Sequence, residues 1–207
     1  MKLAKLSLAA LVVAGLASSS FAADTLADAF KNGKASGELR AWYFDRDTGD
    51  AVVSAKKGAA DIINTGMVLG YVTDSLYGFK MGATFQASGS PFADADAKKV
   101  FVSDMWGSGA VLSEAYLQYG VKNTNVKVGR QFITTPLISG SGSRMIKQSF
   151  QGALITNTDI PGTTIAAGYV DKWQNRTNDK GDVAEFVEVG KNHDGAYTFL
   201  AINKSIP

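Results

Sequence analysis

The stretch YGFKMGATFQASG, residues 77–89, alternates apolar with small or polar side chains at every second position. Neighbouring side chains of an extended strand point to opposite faces, so this alternation predicts a strand with one apolar and one polar side. The stretches SGELRAWYF (36–44) and LSEAYLQYGV (112–121) repeat the pattern. Nine runs of this kind are predicted, at about 37–45, 65–73, 77–87, 112–121, 125–132, 150–157, 163–173, 184–190 and 195–203.

The connections between these runs alternate in length. Short ones (73–75, 122–124, 160–162 and 192–194) separate long ones (about 46–64, 88–111, 133–149 and 174–183). Short turns at one end and long loops at the other are typical of a transmembrane antiparallel β-barrel, as are strands of nine to eleven residues with aromatic side chains near their ends. The alternative is a soluble exported β-sandwich that binds a partner, because such a protein alternates in the same way.

The amino terminus has the pattern of an exported protein. Lys2 and Lys5 precede an apolar run and the small residues that end at Ala22, which predicts a signal peptide over residues 1–22. Residues 23–36 are predicted to form a short periplasmic helix or plug segment, and residues 37–207 part of a β-barrel. Nine is an odd number of strands and the sequence stops at Pro207, so we expect residues 37–207 to be the N-terminal half of a larger barrel.

The composition argues against several classes of function. Without Lys2 and Lys5, the 21 basic and 19 acidic residues become 19 of each, so net charge predicts no nucleic-acid partner. The absence of cysteine excludes disulfides and thiol catalysis. The single histidine, His193, falls in a predicted turn and supports no Ser-His site. We therefore predict a protein that is not an enzyme and has no cofactor and no metal site.

A basic stretch interrupts the balanced charge. Arg130, Arg144 and Lys147 lie in VGRQFITTPLISGSGSRMIKQSF (128–150), and no acidic residue occurs between Glu114 and Asp159. This predicts an unopposed positive field that favours anions. The simpler alternatives are that Arg130 is an ordinary wall residue with a carboxylate partner, and that Arg144 and Lys147 are solvated loop charges.

The pieces GRQ (129–131), TP (135–136) and GSRM (142–145) before Phe150 and Gly152, together with SGELRAWYF after a short helix, resemble the OprD-like family of outer-membrane porins. The resemblance implies an 18-stranded barrel, with nine strands as its half, whose third long loop (133–149) folds into the lumen. It places Arg144 and Lys147 at the constriction and Arg130 on the wall. Where the family often has proline, this chain has Lys147.

The resemblance also implies what the protein contacts. The expected partners are the lipid of the Gram-negative outer membrane, the outer membrane assembly machinery, and small polar or anionic solutes such as carboxylates or amino acids. Arg40 is the fourth predicted pore-lining residue, although Glu38 on the same strand face could pair with it. A homo-oligomer is left open.

Overall fold

The computed structural model describes residues 23–47, 59–102, 107–178, 180–190, 192 and 194–204, so the predicted signal peptide lies outside the described residues. Antiparallel strands and two short helices account for most of this part of the chain. In chain order they are α1 (Leu26–Lys31), β1 (Lys34–Asp47), β2 (Ala59–Val72), β3 (Phe79–Gly89), α2 (Ala95–Phe101), β4 (Gly109–Val121), β5 (Thr124–Gln131), β6 (Ser149–Asn157), β7 (Thr163–Gln174), β8 (Phe186–Glu188) and β9 (Ala196–Asn203).

The described strands form one unclosed antiparallel sheet in which each strand from β1 to β8 pairs with the next. Its apolar face leaves large side chains uncovered, as lipid contact requires; among them are Leu39, Leu69, Phe79, Met81, Leu117, Val128, Tyr197 and Phe199. Its polar face carries Arg40, Asn64, Gln86, Glu114 and Lys127. A sandwich needs two sheets packed face to face, so the soluble alternative is wrong for this fold.

The last two strands differ from the prediction in how they connect. Both pair with β7 and run in the same direction: Glu188 pairs with Lys172, and Ala196 pairs with Val170. The Gly195 N–H donates to the Val189 carbonyl oxygen at 2.8 Å, so the chain rejoins the sheet close to where it left it. The predicted hairpin turn at 192–194 is therefore wrong, and the nine strand segments cross the sheet eight times.

Gly195 is required at this return point. Its φ is +74°, a conformation that L side chains rarely adopt, and a Cβ there would lie 2.7 Å from the Val170 carbonyl oxygen. The alternation of side chains predicted both β8 and β9, which are two halves of one strand that crosses the sheet. The segment between them, residues 189–195, contains the same types of turn residue as a hairpin. Only the pairing of both halves with β7 distinguishes an interrupted strand from two antiparallel ones.

The other three predicted short turns (73–75, 122–124 and 160–162) lie at one end of the sheet, and helix α1 packs against the first of them. Thr25 caps the helix by accepting a hydrogen bond from the Asp28 N–H at 3.1 Å. The Asp74 N–H donates to the Ala29 carbonyl oxygen at 2.9 Å and joins α1 to the β2–β3 turn. No helix in the described part of the chain combines the length and apolarity needed to cross a membrane.

Two neighbouring turns at this end are linked through one carboxylate. The side-chain amides of Asn123 and Asn157 both donate to Asp159, at 3.0 and 2.6 Å. Both hydrogen bonds lower the pKa of Asp159, and the one from Asn157 has the larger effect. The β4–β5 and β6–β7 turns are thereby held together at neutral pH.

At the loop end, the connection between β3 and β4 covers part of the polar face. Helix α2 buries Val100 and Phe101 against Ile62 of β2, with Phe44 of β1 packed beside them. The Arg46 guanidinium lies 4.9 Å from the centre of the Phe101 ring. The small hydrophobic core of this part of the chain is thus on the inside of the sheet, beside the polar face.

Candidate functional site at the inner loop

The connection between β5 and β6, residues 132–148, is called the inner loop here because it lies across the polar face. It buries Met145 and Ile146, and it reaches Arg40 on β1, four strands away from β5. A Cβ placed on Gly66 of β2 would lie 3.2 Å from the Met145 sulfur and 2.8 Å from the Ala87 carbonyl oxygen. Glycine at position 66 leaves the room that the loop occupies, and the structure confirms the predicted inward fold.

The side chain of Gln86 on β3 forms hydrogen bonds with both main-chain polar groups of one inner-loop residue, Lys147. Its Nε2 donates to the Lys147 carbonyl oxygen at 2.9 Å, and its Oε1 accepts from the Lys147 N–H at 2.9 Å. The same Nε2 contacts Ser113 Oγ at 2.6 Å. Gln86 is fully buried. Its carboxamide makes the two main-chain hydrogen bonds to Lys147 that a neighbouring strand would make if this segment were still in the sheet.

Arg40 of β1 holds the preceding turn of the inner loop. Its Nη1 donates to the carbonyl oxygens of Arg144 and Met145, at 2.8 and 3.0 Å. Its Nε and Nη2 donate to the two carboxylate oxygens of Glu38, at 2.8 and 2.9 Å. The pairing of Arg40 with Glu38 is confirmed, and the guanidinium in addition connects the strand to the loop.

Glu114 of β4 is the second carboxylate near the loop. It accepts a hydrogen bond from Thr84 Oγ1 at 2.7 Å and one from the Phe132 N–H at 3.1 Å. Lys127 Nζ lies 3.5 Å from the same carboxylate and 3.6 Å from the centre of the Tyr116 ring. Glu38 and Glu114, which are distant in sequence from the basic stretch, therefore face it, and the predicted unopposed positive field is wrong.

The Lys147 side chain extends from the inner loop over an aromatic ring. Its Nζ lies 4.3 Å from the centre of the Phe132 ring, a cation–π contact within the loop. Burial lowers the pKa of this ammonium group, and the Glu114 carboxylate acts against that change. The Arg144 guanidinium also belongs to the loop and donates to the Ser143 carbonyl oxygen at 3.0 Å.

Arg130 is placed apart from these residues. It pairs with Ala115 and Gln151, and strand alternation puts it on the side of β5 that carries Val128 and not on the side of Lys127. Its guanidinium lies 4.4 Å from the centre of the Phe186 ring. The structure brings together Arg40, Arg144 and Lys147 of the four predicted pore residues, and a role of Arg130 in the pore stays a prediction.

Sequence reasoning missed Gln86, Glu114 and Lys127 as parts of this site. The alternation that predicts β3 and β4 already put Gln86 and Glu114 on the polar side of their strands. What the sequence lacked was the path of the inner loop, which selects these among many polar-face residues. Among the described residues, no group of three or more histidine, cysteine, aspartate or glutamate side chains could hold a metal ion.

Comparisons with known proteins agree with this architecture. Residues 27–202 match the model of the outer membrane porins of the OprD family, whereas no curated protein sequence matches. The structure is similar to OccAB3 of Acinetobacter baumannii, with 19% identity over 84% of this chain and 47% of that one and a TM-score of 0.67. OccK9 (OpdG) of Pseudomonas aeruginosa has 19% identity over 78% of this chain and 42% of that one, with a TM-score of 0.62.

A third similar structure was determined with a ligand. OccK2 (OpdF) of Pseudomonas aeruginosa, in complex with glucuronate, shares 18% identity over 74% of this chain and 37% of that one, with a TM-score of 0.56. The chain thus spans less than half the length of these three porins. The family match covers most of the chain, and the sheet, its uncovered apolar face and its inner loop agree with it: the chain belongs to the OprD family of outer membrane porins.

Proposed function

We propose that this chain forms part of an outer membrane channel through which small solutes diffuse passively, with a preference for anions such as carboxylates. The observation that carries the proposal is the composition of the inner-loop site. Four basic side chains (Arg40, Lys127, Arg144 and Lys147) and two carboxylates (Glu38 and Glu114) belong to it.

This excess of positive charge supports anion selectivity for a physical reason. Charged side chains at a narrow point bias ion passage, because the low-dielectric wall concentrates their field in the pore. Arg40 and Lys127 each have a carboxylate within 3.5 Å, so their fields are partly cancelled. Arg144 and Lys147 of the inner loop add two further positive charges, so the six side chains together carry a net positive charge. The glucuronate in OccK2 is a carboxylate of the expected kind.

The test is charge reversal at the inner loop of the intact channel. Arg144→Glu combined with Lys147→Glu should move the reversal potential in a salt gradient across a planar bilayer toward cation selectivity. The shift should be smaller at high salt, because the Debye length falls from about 10 Å at 0.1 M to about 3 Å at 1 M.

A matched control changes the total charge equally at the opposite end of the sheet. Lys122→Glu combined with Lys204→Glu alters two exposed residues near the short turns. This variant should leave the reversal potential close to that of the wild type. An inner-loop variant that conducts with unchanged selectivity would show that these charges do not face the ion path.

A further inference from the structure

The inner loop is connected to the sheet by a buried polar network in addition to the basic site. Gln86, Ser113, Ser149 and Gln174 are all fully buried. Ser113 Oγ accepts from Gln86 Nε2 at 2.6 Å and donates to Gln174 Oε1 at 3.3 Å. Ser149 Oγ donates to the Ser113 carbonyl oxygen at 2.5 Å. These contacts join β3, β4, β6 and β7 behind the end of the inner loop.

Gln86 is the member of this network that binds the loop itself. Its buried carboxamide bonds both main-chain groups of Lys147, so a shift of the loop past β3 would break two hydrogen bonds together. Buried polar groups that lose their partners destabilise a structure more than exposed ones, because no water replaces the lost bonds. The same Nε2 of Gln86 also donates to Ser113 Oγ, and this second contact fixes the orientation of the carboxamide.

The position of the loop main chain determines where its charges stand. Gln86 binds the main-chain groups of Lys147, the same residue that carries the ammonium group. Arg40 holds the carbonyl oxygens of Arg144 and Met145, just before this point. Arg40, however, carries a charge of its own in the site, whereas Gln86 is neutral. Replacement of Gln86 by another neutral residue therefore alters loop position without altering the charge of the site.

We propose that Gln86 is a positioning residue for selectivity, because its carboxamide holds the main chain of Lys147 and so fixes the ammonium group of Lys147 in the ion path. The proposal rests on the proposed function, since it assigns a residue that controls the selectivity of the same site. Gln86 itself need not touch a solute. It acts through the inner loop.

The experiment measures loop order and selectivity separately. Gln86→Leu removes both hydrogen bonds to Lys147 at similar side-chain volume, and Gln118→Leu removes a glutamine from the polar side of β4, at the position paired with Lys80 and Lys127. A spin label on Ser143→Cys, an exposed inner-loop position in a cysteine-free chain, reports loop mobility. The population of released loop should rise about 5- to 30-fold in Gln86→Leu and stay unchanged in Gln118→Leu.

Selectivity is then measured in two backgrounds. Gln86→Leu should shift the reversal potential of the otherwise wild-type channel and increase its open-channel current noise. In a Lys147→Met background, the same substitution should shift the reversal potential less, because the ammonium group that Gln86 positions is gone. Gln86→Glu, which can accept from the Lys147 N–H but as a carboxylate cannot donate to its carbonyl oxygen, should restore part of the loop order.

The outcomes separate this inference from the proposed function. The positioning role would be overturned if the spin label stays immobile in a Gln86→Leu channel that is correctly folded, as judged by a heat-dependent change in its gel migration. An equal shift of the reversal potential with and without Lys147 would also overturn it, because Gln86 would then act by another route. A mobile loop with unchanged selectivity would confirm the contact with the loop and refute its link to anion preference.

Discussion

Replacement of Arg40 by methionine should release the inner loop from β1. The Arg40 side chain is only 12% exposed, and its guanidinium donates to two loop carbonyl oxygens. A hydrogen bond from a charged group contributes about 1.5–3 kcal/mol, so the lower figure for each bond predicts about 3 kcal/mol in total. Since about 1.4 kcal/mol corresponds to a tenfold change in an equilibrium, the released loop should become roughly 100-fold more populated.

Thiol accessibility measures this release directly. A cysteine at Ile146, a buried inner-loop position in a chain without cysteine, should react slowly with a water-soluble methanethiosulfonate reagent. Adding Arg40→Met should increase the rate by roughly two orders of magnitude, in line with the loop equilibrium. Arg130→Met, which removes a guanidinium from the other side of β5, should leave the rate unchanged.

Arg40→Lys separates charge from geometry. Lysine keeps the positive charge but has no planar fork, so it cannot serve Glu38 and two carbonyl oxygens at the same time. We expect a rate of thiol reaction between those of the wild type and Arg40→Met. A reaction rate in Arg40→Met no faster than in the Arg130→Met control would refute the assignment of Arg40 as an anchor of the loop.

Raising the pH should weaken anion selectivity below the pH of about 10.4 at which an ordinary lysine titrates, because burial lowers the pKa of Lys147. The reversal potential of the Lys147→Met channel should lack this change. Equal pH profiles of the reversal potential in the two channels would contradict the reasoning. Gly82→Ala should destabilise the folded state by about 1–3 kcal/mol, because a Cβ there would overlap the Tyr116 ring. Gly89→Ala is the control, because a Cβ at Gly89 meets nothing within 4 Å. Urea unfolding in lipid vesicles compares the stabilities of the two variants. An impermeant maleimide should label Asn123→Cys after lysis but not on whole cells, and labelling on whole cells would reverse the predicted orientation of the turns.

Local pattern was enough to predict most of the sheet. The alternation in residues 77–89 and 112–121 identified β3 and β4 and told the apolar side of each strand from the polar side. This succeeds because side-chain direction in a strand depends only on position along the chain. The same local rule could not recognise that β8 and β9 are one crossing, since a turn and an excursion use similar residues, and only pairing with β7 separates them.

The sequence by itself determined the family, the two-sided strands and the inner loop with its basic residues. Only the tertiary structure decided which charges meet. Glu114 lies 33 positions before Lys147 in the sequence, yet it acts on the same site because the loop folds back over β4. Electrostatic fields and hydrogen bonds depend on distance in space, so the carboxylates that moderate this basic site, and the glutamine that holds its loop, became visible only when the chain was folded.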